Sequence, residues 1–208
     1  MANVVRILLL GKTGVGKSSF INYFLGKDVA AAGAGRPCTQ ELTKYVLNEW
    51  PDTSIELYDS KGLEVKDADN WTQQIIKELE EKSRLDFTER YHTIFYCISA
   101  QKKIESYEEK TLKELQKAAD QPIHVILTHC DNMADDKLEE RERCLKEKIS
   151  KTLCIYRITS IDKTKRGGTT IKKSGREEVV DGVFNLLWQD VISIMADKVA
   201  EDVVSQVE

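Results

Sequence analysis

Near the N-terminus, Gly11-Lys12-Thr13-Gly14-Val15-Gly16-Lys17-Ser18 sets glycines, a lysine and a hydroxyl in the GxxxxGK[ST] spacing of a phosphate-binding loop. The glycines let the backbone curl so that successive N–H groups face a polyphosphate, and the following helix adds a favourable partial charge. Lys17 is expected to reach the β- and γ-phosphates and the Ser18 hydroxyl to ligate Mg²⁺. The cradle so predicted comprises Gly11, Thr13, Gly14, Val15, Gly16, Lys17, Ser18 and Ser19. The alternative is a glycine-rich turn with an incidental lysine. It is disfavoured because an apolar strand enters the loop and a helical pattern leaves it.

A phosphate loop alone separates neither ATP from GTP nor a kinase from a switch, so further motifs must follow in order. Asp59-Ser60-Lys61-Gly62 supplies DxxG at the end of an apolar run. Asp59 is placed to hold Mg²⁺, and the Gly62 N–H to sense a γ-phosphate that no side chain obstructs. Before it, Pro37-Cys38-Thr39 closes an Ala/Gly-rich stretch from Asp28. Thr39 is expected to complete the Mg²⁺ shell and touch the γ-phosphate; Thr43 competes for the role but reads as a strand residue. Lys17, Thr39 and Gly62 therefore form the expected catalytic set, and Ser18, Thr39 and Asp59 the metal set. Asp131, after the apolar run Ile126-Leu127, is the candidate base reader. Its carboxylate is an acceptor only, matching the ring N–H and exocyclic amine of guanine but not the edge of adenine.

These residues need a scaffold, and the periodicity supplies one. Strand-length apolar runs at Val4 to Leu10, Leu42 to Asn48, Ile55 to Asp59, Thr93 to Ser99, His124 to Thr128 and Cys154 to Ile158 alternate with helical segments. In the first of these, Ser18 to Leu25, Phe20 pairs with Phe24 and Ile21 with Leu25 at i, i+4, and Gly26 follows as a helix stop. Further stripes are Trp71/Ile75/Leu79, Ile104/Leu112/Leu115, Leu138/Leu145/Ile149 and Val183/Leu187/Val191/Ile194. The alternation predicts βα units in a mostly parallel sheet.

Composition agrees. The 208 residues carry 31 Lys plus Arg against 35 Asp plus Glu, a formal charge of −4, with 41% hydrophobic residues. That suits one domain over 1–208 and disfavours both disorder and a wide nucleic-acid-binding face. The five cysteines are odd in number and widely spaced, so reduced thiols and a cytoplasmic location are expected. The run Ile7 to Leu10 is too short to span a bilayer, and no transmembrane segment is expected. Lys163 to Gly175 is basic and glycine-containing, and reads as a flexible solvated loop, with an anionic partner site as the alternative. His92 and His124 read as packing or solvated residues with no catalytic role, and Tyr96 and Cys97 as core.

Taken in order, these elements resemble the G domain of the translation-factor-related P-loop GTPases, which include Ras-like, Era-like and septin-like families. Thr128-His129-Cys130-Asp131 resembles [NT]KxD with His129 in place of lysine, and Ser160-Ile161 resembles the loop whose backbone N–H meets the guanine O6. Gly14 within the phosphate loop is similar to septins, AIG1-type GTPases and chloroplast-import receptors. Asp59 to Glu64 and Tyr96-Cys97-Ile98 look like bacterial Era-like domains. The resemblance implies a three-layer α/β/α P-loop domain with a six-stranded, mostly parallel sheet whose second strand is antiparallel. It also implies GTP/GDP and Mg²⁺ as ligands, hydrolysis of GTP, and a nucleotide-dependent homodimer or protein effector as partner. Leu63 stands where Ras-like enzymes carry a water-orienting glutamine, and Gly14 where potassium-dependent relatives carry asparagine. Slow intrinsic hydrolysis follows. The competing readings are an assembly module with little hydrolysis and, given His129, an ATPase without base specificity.

Overall fold

The computed structural model describes residues 3–30, 42–50, 53–60, 62–150, 153–164, 168, 170–185 and 188. Strands β1 (Asn3–Gly11), β2 (Thr43–Trp50), β3 (Thr53–Asp59), β4 (Thr93–Ser99), β5 (Ile123–Thr128) and β6 (Cys154–Arg157) form one sheet in the order β2-β3-β1-β4-β5-β6. Every pairing is parallel except β2 with β3. This is the expected six-stranded sheet with its antiparallel second strand. Ile7, Leu8, Leu9 and Leu10 are fully buried, which is why the central strand is an unbroken apolar run rather than an alternating one.

Helices α1 (Lys17–Leu25), α2 (Ala68–Ser83), α3 (Ser106–Ala118) and α4 (Asp135–Lys148) cover the sheet. The paired apolar residues of α1 are its buried face; Phe20 and Phe24 stack at 5.5 Å and both meet Phe95 of β4 edge-on. Gly26 ends the helix at φ 66°, its N–H bonded to the Asn22 and Tyr23 carbonyls. Trp71, Ile75 and Leu79 of α2 and Leu112 and Leu115 of α3 enter one core cluster with β1, β4 and β5. The two helices also share a buried Thr72–Thr111 hydroxyl contact of 3.1 Å.

His92 and His124 are buried within this core. The Arg6 N–H donates to His92 Nδ1 at 2.9 Å, and His124 stacks on Tyr156 at 5.6 Å. Burial lowers both imidazoles to about 4, so they are packed neutral rings, as expected. Cys97, Cys130, Cys144 and Cys154 are unpaired thiols. Among the described residues no helix is long and apolar enough to cross a membrane.

One expectation is corrected. The basic stretch from Lys163 contains a small antiparallel ladder, β7 (Lys163–Thr164) with β8 (Thr170–Ile171), and Thr159 pairs with Ser174 at its base. Backbone pairing, invisible to a composition rule, joins four residues of a segment that reads as loop. At its end, a Cβ on Gly175 would run into the Arg157 carbonyl, so only glycine fits there.

The chain divides into two compact units, Met1–Gly175 and Arg176–Glu208. The second is described as a helix over 176–185, in which Val179 and Val183, one turn apart, are buried. Leu187, Val191 and Ile194 of the predicted stripe lie outside the described residues.

Candidate functional site

In a sheet of this order, the crevice lies beyond the carboxyl ends of the strands where the connections diverge. Here that is the end of β1, between β3 and β4, and the glycine-rich loop issues from it. Gly11, Gly14 and Gly16 adopt φ of 141°, 75° and 96°, and a Cβ on Gly11 would lie 2.7 Å from the Cys97 carbonyl oxygen. Gly16 is also the N-cap of α1. It offers no side-chain cap, and the first turn holds no acidic residue. The opening N–H groups of the helix are thus left for an anion. Lys17 folds back over the loop, donating to the Gly11 carbonyl at 3.0 Å and the Lys12 carbonyl at 3.4 Å. Burial lowers its pKa, opposed by the charge of Asp59.

Asp59 ends β3 beside Leu9 of β1. Burial pushes its carboxyl up to about 6 against the pull of Lys17, and its Oδ1 is buried without a hydrogen-bond partner, as is Ser60 Oγ. A buried carboxylate oxygen lacking a partner is expensive unless a cation meets it. That orphaned oxygen, with the half-buried Ser18 hydroxyl at the start of α1, fits a hard divalent ion. Gly62 packs against Thr13 so closely that a Cβ would touch Thr13 Oγ1 and lie 2.8 Å from Thr13 Cα. Beside it, the Leu63 N–H donates to the Gly11 carbonyl at 3.0 Å, and the Thr13 N–H to the Leu63 carbonyl at 3.2 Å. The Leu63 side chain is fully buried in the core. A hydrophobic residue here is a structural pin between DxxG and the phosphate loop, and it presents nothing to water.

The second half of the site is a cavity of about 260 Å³ beside Gly16 and Ser19, lined also by His129, Asp131, Asn132, Ser160, Ile161, Asp162 and Lys163. His129 adopts φ 58°, which swings the chain into a short 3₁₀ turn, Cys130–Asn132, and delivers Asp131 to the cavity. The turn is tied down by Cys130 N–H to the Ile158 carbonyl at 3.3 Å and by Cys130 Sγ to the Leu127 carbonyl at 3.0 Å. The His129 ring lies over Gly16, where a Cβ would be 3.0 Å from its Cε1. Burial lowers the His129 pKa, opposed by Asp131 and reinforced by Lys102 and Lys163, which favours the neutral ring. Ile161, 61% exposed, gives the cavity an apolar lip.

Thr128 is placed differently from its neighbours. It is buried, is not among the cavity-lining residues, and its hydroxyl lies 2.5 Å from the Val15 carbonyl and 3.2 Å from that of Ile98. It fastens the phosphate loop to the base loop instead of facing a ligand. His129 Nδ1 sits 3.2 Å from the same hydroxyl. With that hydroxyl hydrogen given to Val15, the ring donates from Nδ1 and keeps Nε2 as an acceptor.

Gly11 through Ser19, Asp59 and Gly62 thus gather at one end of the sheet, and Asp131, Ser160 and Ile161 gather around the adjoining cavity. Gly16 and Ser19 join the two. Thr39 and Cys38 lie outside the described residues, as does Lys61. Sequence reasoning did not place Asn132, Asp162 and Lys163 at the cavity. The positive charge of Lys163 was the visible signal, but the β7–β8 strands are two residues each and largely exposed, so no apolar alternation marks them.

Comparison with known proteins agrees with this geometry. The chain is 24% identical over 190 residues to GTPase Der of Persephonella marina, covering 91% of this chain and 41% of that protein. It therefore spans about two fifths of the length of that curated relative. Among solved structures, Era of Aquifex aeolicus bound to GDP and AlF₄⁻ superposes with a TM-score of 0.67 at 18% identity, over 88% of this chain and 57% of that one. Toc33 of Arabidopsis thaliana, in complex with Mg²⁺ and GMPPNP, gives 0.67 at 14% identity over 89% and 85%. For Toc33 and psToc159, a further solved structure carries the statement that dimerization is important for GTPase activity. These structural likenesses establish the fold. Residues 6–129, from β1 to His129 at the end of β5, match the family described as "50S ribosome-binding GTPase", and the chain belongs to that family.

Proposed function

We propose that the chain, as one G domain over 1–208, is a guanine-nucleotide switch that binds GTP or GDP with Mg²⁺ and hydrolyses GTP slowly to GDP and phosphate. The observation that carries this reading is continuity: the uncapped α1 N-terminus and the cavity holding Asp131 meet at Gly16 and Ser19. One ligand with a polyphosphate at one end and a donor-bearing base at the other satisfies both.

In this reading the loop N–H groups and Lys17 hold the phosphates, with Lys17 exchanging the Gly11 and Lys12 carbonyls for β- and γ-oxygens. Ser18, Asp59 and Thr39 would hold Mg²⁺, which supplies charge compensation to the β- and γ-phosphates. Asp131 accepts from the guanine edge, the His129 ring and Ile161 flank the base, and the Ser160 and Ile161 backbone meets its O6. Gly62 approaches the γ-phosphate. No side chain directly after DxxG can orient water, because Leu63 is buried. The water-orienting group must come from elsewhere, and we assign it to a partner protein or second copy in the cytoplasm.

Phosphate release from GTP, with Lys17→Ala as control and ATP as competitor, tests this. The expected result is slow release that disappears in the variant and resists excess ATP; displacement of GTP by equimolar ATP would exclude the base assignment. The switch itself, in which γ-phosphate holds Thr39 and Gly62, predicts different limited-proteolysis patterns with GDP and with a non-hydrolysable GTP analogue. Equal cutting in both states would sink it.

A further inference from the structure

We propose that Lys163 is a built-in competitor for guanine: its ammonium takes the Asp131 carboxylate when no base is bound and must release it for the base to enter. This rests on Asp131 being the base acceptor. Lys163 Nζ lies 3.3 Å from Asp131 Oδ2 and also donates to Asn132 Oδ1, so it is held between the two residues that follow Cys130. Both it and Asp131 line the same cavity.

Lys163 is not a stray surface lysine that has swung in. It sits on β7, paired with Ile171 of β8, and the neighbouring Thr164 and Thr170 hydroxyls are 3.1 Å apart. The Lys173 N–H donates to Asp162 Oδ1 at 2.7 Å, and Thr159 and Ser174 exchange backbone bonds of 3.1 and 3.0 Å. The ladder therefore grows directly out of the Ser160-Ile161 loop and holds the Lys163 backbone at the rim of the cavity.

The two partners differ in freedom. The Asp131 side chain is 12% exposed and the Lys163 side chain 51%. The carboxylate stays in place, while the ammonium can return to water at small cost when displaced. A guanine edge offers two N–H donors to that carboxylate, and an ammonium at Oδ2 is a third donor of the same polarity. The two repel at a shared oxygen, so each occupant weakens the other. Half-exposed ion pairs contribute little, which sets the expected effect at about two- to fivefold in affinity.

Calorimetric titration of the full chain with GDP and Mg²⁺ at fixed salt tests the proposal, using Lys163→Met, Lys163→Arg, Asp131→Asn and the Lys163→Met/Asp131→Asn double variant. Lys163→Met is expected to bind GDP about two- to fivefold more tightly, Lys163→Arg like the parent, and the double variant no more tightly than Asp131→Asn alone. If Lys163→Met binds GDP equally or more weakly, or if its gain survives in the Asp131→Asn background, competition at Asp131 is wrong. If Asp131→Asn leaves GDP affinity unchanged, the base-site reading itself fails, an outcome distinct from the first.

Discussion

Asp59 is subject to two opposed demands. Without a cation it is a buried carboxylate with an unpartnered oxygen, raised to about 6 by burial and only partly compensated by Lys17. With the proposed cation, the same orphaned oxygen would be a ligand. Asp59→Asn should therefore stabilise the nucleotide-free protein by about 1–3 kcal/mol while weakening Mg²⁺-dependent GDP binding at least tenfold. Chemical denaturation of the apo form and titration with and without EDTA check the two signs separately. A loss of both stability and affinity would place Asp59 in the scaffold instead. Thr128 makes the contrasting case. Its hydroxyl fastens Val15, so Thr128→Val should cost about 1–3 kcal/mol of stability by leaving a buried carbonyl unpaired. Base selectivity between GDP and ADP should stay unchanged, because the side chain does not line the cavity.

At the scale of elements, the pin between DxxG and the phosphate loop makes a prediction that runs against simple motif repair. Leu63→Gln would restore the Ras-like residue, yet the side chain at this position is fully buried among apolar neighbours. The variant should lose about 1–3 kcal/mol of stability and gain no phosphate-release rate; a faster enzyme would show that the segment opens to water. Elements of this kind divide into those legible from sequence and those that are not. β4 spans Thr93–Ser99, the residues of its apolar run, and α1 begins within one residue of its predicted start, because burial on both faces and i, i+4 pairing are written locally. The β7–β8 ladder is a short exposed pairing with no apolar alternation to announce it, and the placement of Leu63 depends on Gly11, far back along the chain. Neither leaves a period in the sequence. The roles of Thr128 and Lys163 escaped for the same reason: residue type announces a hydroxyl or a charge, while packing decides whether it faces the loop, the ligand or a neighbour.

The whole molecule carries an acid-sensitive core. His92 and His124 are held neutral in the fold at about 4, below the ordinary histidine value near 6.5. Between those values the unfolded chain binds protons that the folded one cannot, so stability is full above about pH 6.5 and falls as pH drops towards 4. The loss amounts to about 3 kcal/mol per histidine. Denaturant unfolding from pH 7.5 to 4.5 should show this slope less the opposite contribution of Asp59, whose raised carboxyl is relieved by protonation below about pH 6. His124→Phe, which keeps an aromatic ring against Tyr156 and removes an unpartnered nitrogen, should remove one histidine's share of the loss. The Leu63 pin has its own consequence for the molecule as a timekeeper. Under the proposed reading, a chain whose residue after DxxG is committed to the core would have a clock that runs slowly by construction, and the lifetime of its bound GTP would become a race between release and an outside trigger. Left alone, such a protein would report the ratio of GTP to GDP around it, and the proposed partner would turn that readout into a timed pulse.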